Sequence, residues 1–573
     1  MRFSNVLFGH VLLHLAQALY LPHNIYSSLT ARANSKESSL EWSQCGLDFG
    51  NKAQNETQKD FDCARLEVPL DYTNSSNTKT ITLDLIRFKA TKTPHRGSIL
   101  FNPGGPGGSG VESMLVSGPI LSSYIGNQYD IIGFDTRGTG RTISFTCPEP
   151  TAGEEATGLK RRDFNNLPRL NTWELVKTEW WEESADFAES CWEANRDMGQ
   201  FYGTTAVARD MMSIVDALSQ GDKLNYWGIS YGTVLGQVVA SMFPKRVGRI
   251  VLDGNLNADD YAANAWLDSL IDTERSLANF FDDCVKSRKD ACSLADFHGK
   301  NTTGESLLET FKEKLEVASA DAASEEEGGE AFAIKQNILA GLYAPSSFPE
   351  LSTQIEAFLK RHKSNDTPKS SDTTKRSNTP KPSDTPTPLI PTSKWSPQTE
   401  YALPAIACGD SSYRANEPDD LFPIYKALYE QSSFSDLIIS DAVTCSQWKF
   451  SAVEPIDFNK LRNVDTSNPI LVVNGRYDPV TSLQSALKVA AKFPGSRLVV
   501  HEGAGHSSLA HPSSCTIHAI RNYFVDGKMP EVNTTCSTDM TAFEWANNAQ
   551  TKTKVEAKNK RRMMSRWLTA QVY

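Results

Sequence analysis

Apolar and polar positions alternate with a period of two over 64–72 (ARLEVPLDY) and again over 80–90 (TITLDLIRFKA), with a polar stretch rich in Asn and Ser between them. A period of two sends successive side chains to opposite faces, so the pair predicts an antiparallel hairpin. Six short apolar runs follow, each ending in a loop: GSILFN (97–102), YDIIGFD (129–135), LNYWGIS (224–230), VGRIVLDG (247–254), NPILVVNGRYD (468–478) and SRLVVHEGAGH (496–506). Continuous apolar runs of this length predict strands buried on both faces. Runs of helical period lie between them, such as TTAVARDMMSIVDALSQ (204–220) and TSLQSALKVAAKF (481–493). Strands alternating with helices predict an α/β fold, with a mostly parallel central sheet flanked by helices.

The alternation stops after Gly254. From 255 to 460 the chain reads as helices and loops, with amphipathic stretches such as SLLETFKEKLEVASA and FAIKQNILAGLYA. This predicts a helical cap inserted into the sheet domain, because the region has no strand pattern to support a second domain of its own. Within it, 363–397 is a loose Ser/Thr/Pro repeat that cannot bury apolar surface and reads as a flexible, O-glycosylated excursion. The expected layout is a signal peptide at 1–18, the first part of the core at 19–254, the cap at 255–460, the second part of the core at 461–545 and a basic tail at 546–573. The acidic run at 325–330 reads as a solvated loop. The tail segment KNKRRMMSRW reads as an exposed helix end, with an anionic surface as its alternative partner.

Composition narrows the class. The chain has 573 residues, 39% hydrophobic and 22% charged, with a formal net charge of -11. That is a folded protein with enough length for one large core and an insertion. The acidic balance gives no support to nucleic-acid binding. At the N-terminus, Arg2, the apolar run Val6 to Leu15 and the small-x-small triplet Ala16-Gln17-Ala18 read as a secretory signal, and the run is too short to span a bilayer. A membrane anchor or a buried helix is the alternative there. No later stretch predicts stable membrane insertion. Ten cysteines agree with an extracellular destination. They fall in neighbouring pairs, Cys45 and Cys63, Cys147 and Cys191, Cys284 and Cys292, Cys408 and Cys445, Cys515 and Cys536. Sequential pairing is a hypothesis, since order alone does not fix connectivity. Sequons at Asn55, Asn74, Asn301, Asn365 and Asn533 are candidate glycosylation sites.

The chemistry concentrates in four places. GISYG sets Ser230 between Gly228 and Gly232, after a strand and before a small-residue helix, the setting of a nucleophile elbow. A serine hydroxyl needs a base, and the base an orienting acid. Asp478 and His506 each follow a late strand and stand in the chain order such an elbow expects. Asp478, before Pro479, also reads as a turn residue, and His506 as a loop histidine; His501 and His511 are reserve bases. FNPGGPGGSG (101–110) follows the strand at 97–102 and can expose backbone N–H groups. Gly105 and Tyr231 are the candidate oxyanion donors. The loop lacks the lysine and the spacing of a phosphate-binding motif. In FDTRGTGRT (134–142), Arg137 and Arg141 read as loop architecture, with a substrate carboxylate as the lesser reading.

NPGGPGGSG, FDTRGTGRT with Cys147 shortly after it, GISYG, and the pair GRYDPVT and GAGHSS together resemble the α/β-hydrolase fold. More narrowly, they are similar to the secreted tripeptidyl aminopeptidase branch of the prolyl-iminopeptidase-like serine peptidases, over about 40 to 540. The resemblance implies that Ser230 is the nucleophile, that Asp478 and His506 complete the triad, and that residues 104–105 help hold the oxyanion. It also implies a characteristic C-terminal segment over about 430 to 540. ALPAIACGDSS (402–412) resembles a family segment with a Cys-x-Asp element. Asp410 is there a candidate for binding a free α-amino group, with a local role beside Cys408 as the simpler reading. The expected activity is a secreted serine exopeptidase acting on peptides near a free N-terminus and releasing tripeptides. A carboxylic-ester hydrolase with the same triad is the alternative, and a non-enzymatic binding protein on this scaffold a third. The chemistry requires no metal or organic cofactor.

Overall fold

The computed structural model describes residues 40–147, 172–287, 289–320, 328–361 and 401–548. The signal region, the 363–397 tract, Asn365, the first half of the acidic run and all of the basic tail beyond 548 lie outside the described residues.

Ten strands form one sheet. In chain order they are β1 (Ser43–Gln44), β2 (Asp62–Pro69), β3 (Thr80–Phe88), β4 (Ser98–Asn102), β5 (Asp130–Phe134), β6 (Leu224–Ser230), β7 (Val247–Asn255), β8 (Leu471–Tyr477), β9 (Arg497–Ala504) and β10 (Thr535–Cys536). Their spatial order is β1-β2-β3-β5-β4-β6-β7-β8-β9-β10. β2 and β3 form the antiparallel hairpin, and β3 pairs antiparallel with β5. From β5 through β4 to β10 every neighbour is parallel. The short edge strands β1 and β10 have no counterpart among the apolar runs, because two residues carry no readable period.

Side-chain alternation explains why both faces are covered. In β4, Ile99 and Phe101 enter one core cluster while Leu100 enters the other. In β8, Leu471 and Val473 face one way and Val472 the other. One face packs on the helices Thr204–Leu218, Tyr231–Met242 and Leu483–Lys492, the other on Gly110–Tyr124 and Ser514–Asp526. A Cβ on Gly133 would lie 2.3 Å from the Gly110 carbonyl oxygen, so the helix Gly110–Tyr124 sits directly on β5 only because both residues are glycine.

The region between β7 and β8 is helical and has its own apolar cores. Helices Thr273–Lys286, Gly304–Ala320, Gly328–Leu342 and Phe348–Arg361 share one, which also takes in Ala504 from β9 and Phe543 near the C-terminus. A second core joins Phe422–Gln431 and Ile439–Ser446 to Thr172–Lys177 and Glu179–Asn195. The last two helices precede β6, in the stretch the sequence assigns to the first part of the sheet domain. Val176 and Trp180 face the inserted helices, while Ala188 and Cys191 of the second helix enter the core cluster on the sheet.

All five disulfides join neighbours in sequence: Cys45–Cys63, Cys147–Cys191, Cys284–Cys292, Cys408–Cys445 and Cys515–Cys536. Two of them lie at the sheet edges. Cys63 is in β2, directly opposite Ser43 of β1, and Cys536 is in β10. Strands of two residues gain too little from pairing to hold an edge alone. Asn74, Asn301 and Asn533 are exposed, whereas Asn55 is half-buried and its Nδ2 donates to Asp48 Oδ1 at 3.0 Å.

The edge disulfide gives a stability prediction. Replacing Cys515 and Cys536 together by serine opens a loop with a sequence separation of 21. The double variant should lose about 3 kcal/mol in urea unfolding, and amide exchange in β10 should rise first. Unchanged unfolding would mean that β10 is held by packing alone.

Candidate active site

Ser230 closes β6 and starts the helix Tyr231–Met242. Its backbone has φ 56° and ψ -125°, a conformation costly for a residue with a Cβ. The flanking glycines make the turn possible. A Cβ on Gly228 would lie 2.3 Å from the Gly232 carbonyl oxygen, and one on Gly232 would lie 2.8 Å from the Asn102 carbonyl oxygen. Larger residues would collide with backbone, so strand and helix could not approach.

The glycine-rich loop after β4 lies against this turn. Gly104 has φ +101° and Gly105 φ +112°. A Cβ on Gly104 would sit 2.7 Å from Ser230 Cβ and 3.2 Å from Tyr231 N. Asn102 Oδ1 accepts the Gly104 N–H at 3.0 Å, and the Gly104 carbonyl accepts the Gly108 N–H at 3.1 Å. These bonds fix the loop and use the Gly104 N–H internally. Gly105 is the next residue of this loop. Tyr231 is the first residue of its helix, where the N–H has no intrahelical acceptor.

Asp478 follows β8 and is 0% exposed. Its Oδ1 accepts the Val480 N–H at 3.1 Å and the Thr481 N–H at 2.9 Å. Its Oδ2 accepts the Thr481 hydroxyl at 2.7 Å and the Ser507 N–H at 3.0 Å. His506 Nδ1 lies 3.0 Å from Oδ2 and 3.1 Å from Oδ1. Burial pushes the Asp478 carboxyl up, but His506, the Thr481 hydroxyl and the Ser507 N–H outweigh it and hold it below the usual carboxylate range. An ionised carboxylate only accepts, so Nδ1 carries the proton and Nε2 presents a lone pair.

His506 reaches back toward Ser230 across β7. Its Cε1 would be 3.3 Å from a Cβ on Gly254, and the next residue, Asn255, is the register partner of Ser230. Serine, imidazole and carboxylate thus stand at one rim of the sheet, at the ends of β6, β9 and β8. The hydrogen bonds of the His506 ring run to Asp478 and Thr481, and none joins it to the Ser230 hydroxyl. Such contacts commonly tighten only when substrate is bound. The reserve bases stand elsewhere. His501 Nδ1 is 3.0 Å from Thr516 Oγ1, while His511 Nδ1 accepts the Ala504 N–H at 3.2 Å. Burial drives both imidazoles down to about 4, so they stay neutral.

Asp253 carries no motif, whereas Asp410, Arg137 and Arg141 lie in motif segments. Asp253 of β7 is buried and accepts both the N–H (2.9 Å) and the hydroxyl (2.6 Å) of Ser508, two residues beyond His506. Asp410 accepts the Thr204 N–H at 2.8 Å and the Tyr261 hydroxyl at 3.0 Å, as well as the Thr204 hydroxyl. Thr204 Oγ1, 2.6 Å from the Tyr231 hydroxyl, therefore takes the Tyr231 proton. Asp410 is thus a buried support beneath Tyr231, with three donors on its two oxygens. Arg137 is also internal. It pairs with Asp210 at 2.7 Å and donates to the carbonyls of Pro69, Leu70 and Phe201. Arg141 pairs with Asp84 at 2.6 Å. Both arginines serve loop architecture.

A family model described as "alpha/beta hydrolase fold" matches residues 97–299, and one described as "TAP-like protein" matches 430–536. The first span holds Ser230 and the glycine loop, the second Asp478 and His506. A tripeptidyl aminopeptidase of Streptomyces lividans is 24% identical over 522 residues, covering 88% of each chain. The serine protease Hip1 of Mycobacterium tuberculosis is 25% identical over 487 residues, covering 83% of this chain and 87% of that one. A carboxylesterase B of the same species is 23% identical over 511 residues, covering 87% and 89%.

The buried carboxyls predict a pH dependence. Burial raises Asp410 to about 6, although Thr204 and Tyr261 pull the other way. A carboxyl raised above its unfolded value stabilises the fold at low pH, and that contribution is lost as pH rises through about 6. Relative to wild type, Asp410→Asn should therefore gain on the order of 2 kcal/mol of unfolding free energy between pH 4 and pH 7. Urea titrations at several pH values test this, and parallel curves would refute it.

Proposed function

From the premise that this chain has the α/β-hydrolase fold with a TAP-like C-terminal segment, we propose that it is a serine peptidase acting near a free N-terminus. Ser230 is its nucleophile, His506 its base, Asp478 its orienting acid, and the N–H groups of Gly105 and Tyr231 its oxyanion donors. The observation that carries this reading is the buried, ionised Asp478 holding the His506 Nδ1 proton, with the ring edge over Gly254 next to the strained Ser230 turn. Relatives named tripeptidyl aminopeptidase and serine protease support a peptide substrate.

The chemistry follows from the protonation states. His506 Nε2 takes the Ser230 proton as Oγ attacks the carbonyl carbon of the peptide bond. The carbonyl oxygen becomes an oxyanion and is held by two backbone donors; removing one such donor typically costs about 100- to 1000-fold in kcat. His506 then gives its proton to the departing amine and the C–N bond breaks, leaving an acyl-enzyme. Water, deprotonated by the same imidazole, attacks the ester carbon; the C–Oγ bond breaks, the imidazolium returns its proton to Ser230 Oγ, and the acyl group leaves with a free carboxyl. Asp478 keeps the ring in the Nδ1–H tautomer and offsets the charge of the imidazolium. The inserted helices limit access to chain ends, which favours exopeptidase action.

A secreted location is part of the proposal. Five disulfides suit an oxidising compartment, and among the described residues no helix is long and apolar enough to cross a membrane. The ester-hydrolase reading is kept because a relative named carboxylesterase B matches over most of its length.

Two measurements test the proposal. Purified protein should release tripeptides from peptides with a free N-terminus, leave N-acetylated peptides uncut, and lose at least about 10,000-fold in rate as Ser230→Ala. Short-chain esters turned over with peptides untouched would move the assignment to the alternative. Glycan mapping of protein from a secreting host should find Asn74, Asn301 and Asn533 occupied and Asn55 bare. Bare asparagines throughout would count against passage through the secretory route.

A further inference from the structure

The inserted helices touch the proposed base directly. The helix Gly328–Leu342 ends one residue before Tyr343, and Tyr343 meets His506 in two ways. The Tyr343 carbonyl accepts the His506 backbone N–H at 2.8 Å. The Tyr343 ring stands edge-on to the imidazole, with centroids 5.2 Å apart and planes at 71°. The approach is close: a Cβ on Gly505 would lie 2.7 Å from the Tyr343 carbonyl oxygen and 3.2 Å from Pro345 Cδ. Gly505, at φ +96°, is what lets the two segments meet.

Both contacts bear on the imidazole. A carbonyl just past a helix end lacks an intrahelical donor and lies at the negative pole of the helix. Here it is spent on the residue whose ring must become cationic when it takes the Ser230 proton. The ring contact occupies space that water would otherwise fill. The phenol stays neutral beside Asp478, because burial and the Asp478 charge both push its ionisation upward. The remaining grips on the loop come from the sheet: Asp478 holds the Ser507 N–H and Asp253 holds Ser508. Among the described residues of the inserted region, Tyr343 is the one with a hydrogen bond and a ring contact to His506.

We infer that Tyr343 is a positioning residue for His506, the point through which the seating of the inserted helices sets the alignment of the base. A cap that shifts at this contact releases the His506 N–H and the covered side of the ring together, and the imidazole loses its aim at Ser230. This rests on the triad reading, and the test separates the two.

The test is the rate of inactivation by a small fluorophosphonate, which reads nucleophile activation without regard to peptide specificity. Wild type should react, and Ser230→Ala should not. Tyr343→Ala should react about 10- to 100-fold more slowly, the scale of a displaced catalytic group. With a peptide substrate it should lower kcat and leave KM nearly unchanged. Tyr343→Phe keeps the ring and should react like wild type. Tyr343→Leu, which keeps apolar volume, stands in if Tyr343→Ala does not fold, and should fall between the two. In wild type the His506 amide should be protected from hydrogen exchange; Tyr343→Ala keeps the acceptor carbonyl but loses the ring that seats it, so the protection should fall. Wild-type reactivity in Tyr343→Ala, or an unprotected His506 amide in wild type, overturns the inference while leaving the triad standing. A wild type that does not react overturns the triad reading, and this inference with it.

Discussion

A carboxylate cut off from water stays charged only when donors surround it, and Asp478 is in that position. An isolated buried carboxylate would cost many kcal/mol and would protonate instead. Here three backbone N–H groups, one hydroxyl and one imidazole point at its two oxygens. Two of those N–H groups come from the turn just after β8, and one from the loop after β9. The charge therefore ties two strand ends together and fixes which imidazole nitrogen carries the proton. Asp253, one strand over, lacks such a set. Burial leaves it near 6 despite the two bonds from Ser508. The two carboxyls share a rim yet shift in opposite directions, because Asp478 has the larger set of donors and its charge opposes that of Asp253.

The Ser230 turn shows the opposite economy. There the backbone is strained, on the order of 1–3 kcal/mol, and nothing local relieves it. The strain persists because the strand beneath is locked by neighbours on both sides and the helix beyond is buried along its length. The gain is placement. A serine in a relaxed strand would point into a core cluster, whereas this one stands at the rim with a free helix N-terminus behind it. The Asp410–Thr204–Tyr231 chain of hydrogen bonds secures that N-terminus from below.

Much of this was legible in the sequence, for a physical reason. Buried parallel strands must be continuously apolar, so β4 to β9 stand out as short runs, and residues just after such runs fall at a common rim. Ser230, Asp478 and His506 could be singled out because each follows one. Asn102 could have been read in the same way, as the last residue of a strand next to the glycine loop. Tyr343, Asp253 and Gly254 could not. Their partners lie far away in the chain, and a tyrosine after an amphipathic helix carries no sign of what it will touch. Asp410 was visible as a motif residue, but its meaning was not, since a carboxylate facing an amine and one buried under a tyrosine look alike in sequence. The helices at 172–195 touch both parts, Trp180 and Val176 packing on the inserted region and Ala188 and Cys191 on the sheet core, a division that chain position does not show.

The place of the insertion accounts for the contact between cap and base. β7 runs toward the rim that carries Ser230, so the chain leaves the sheet at the site itself. β8 is parallel to β7 and must begin at the opposite edge. The inserted segment thus starts over the site and has to return the full length of the sheet before it can re-enter. The return is visible near its end. Ser467 donates its N–H to the Pro244 carbonyl at 3.0 Å and its hydroxyl to the Val247 carbonyl at 2.8 Å, at the start of β7. An insertion between other parallel neighbours would begin at the same rim, but only one that leaves from β7 begins on the strand lying between Ser230 and Asp478. A helical excursion from that strand passes over the loop that closes the pair, and the contact at Tyr343 is where it does so.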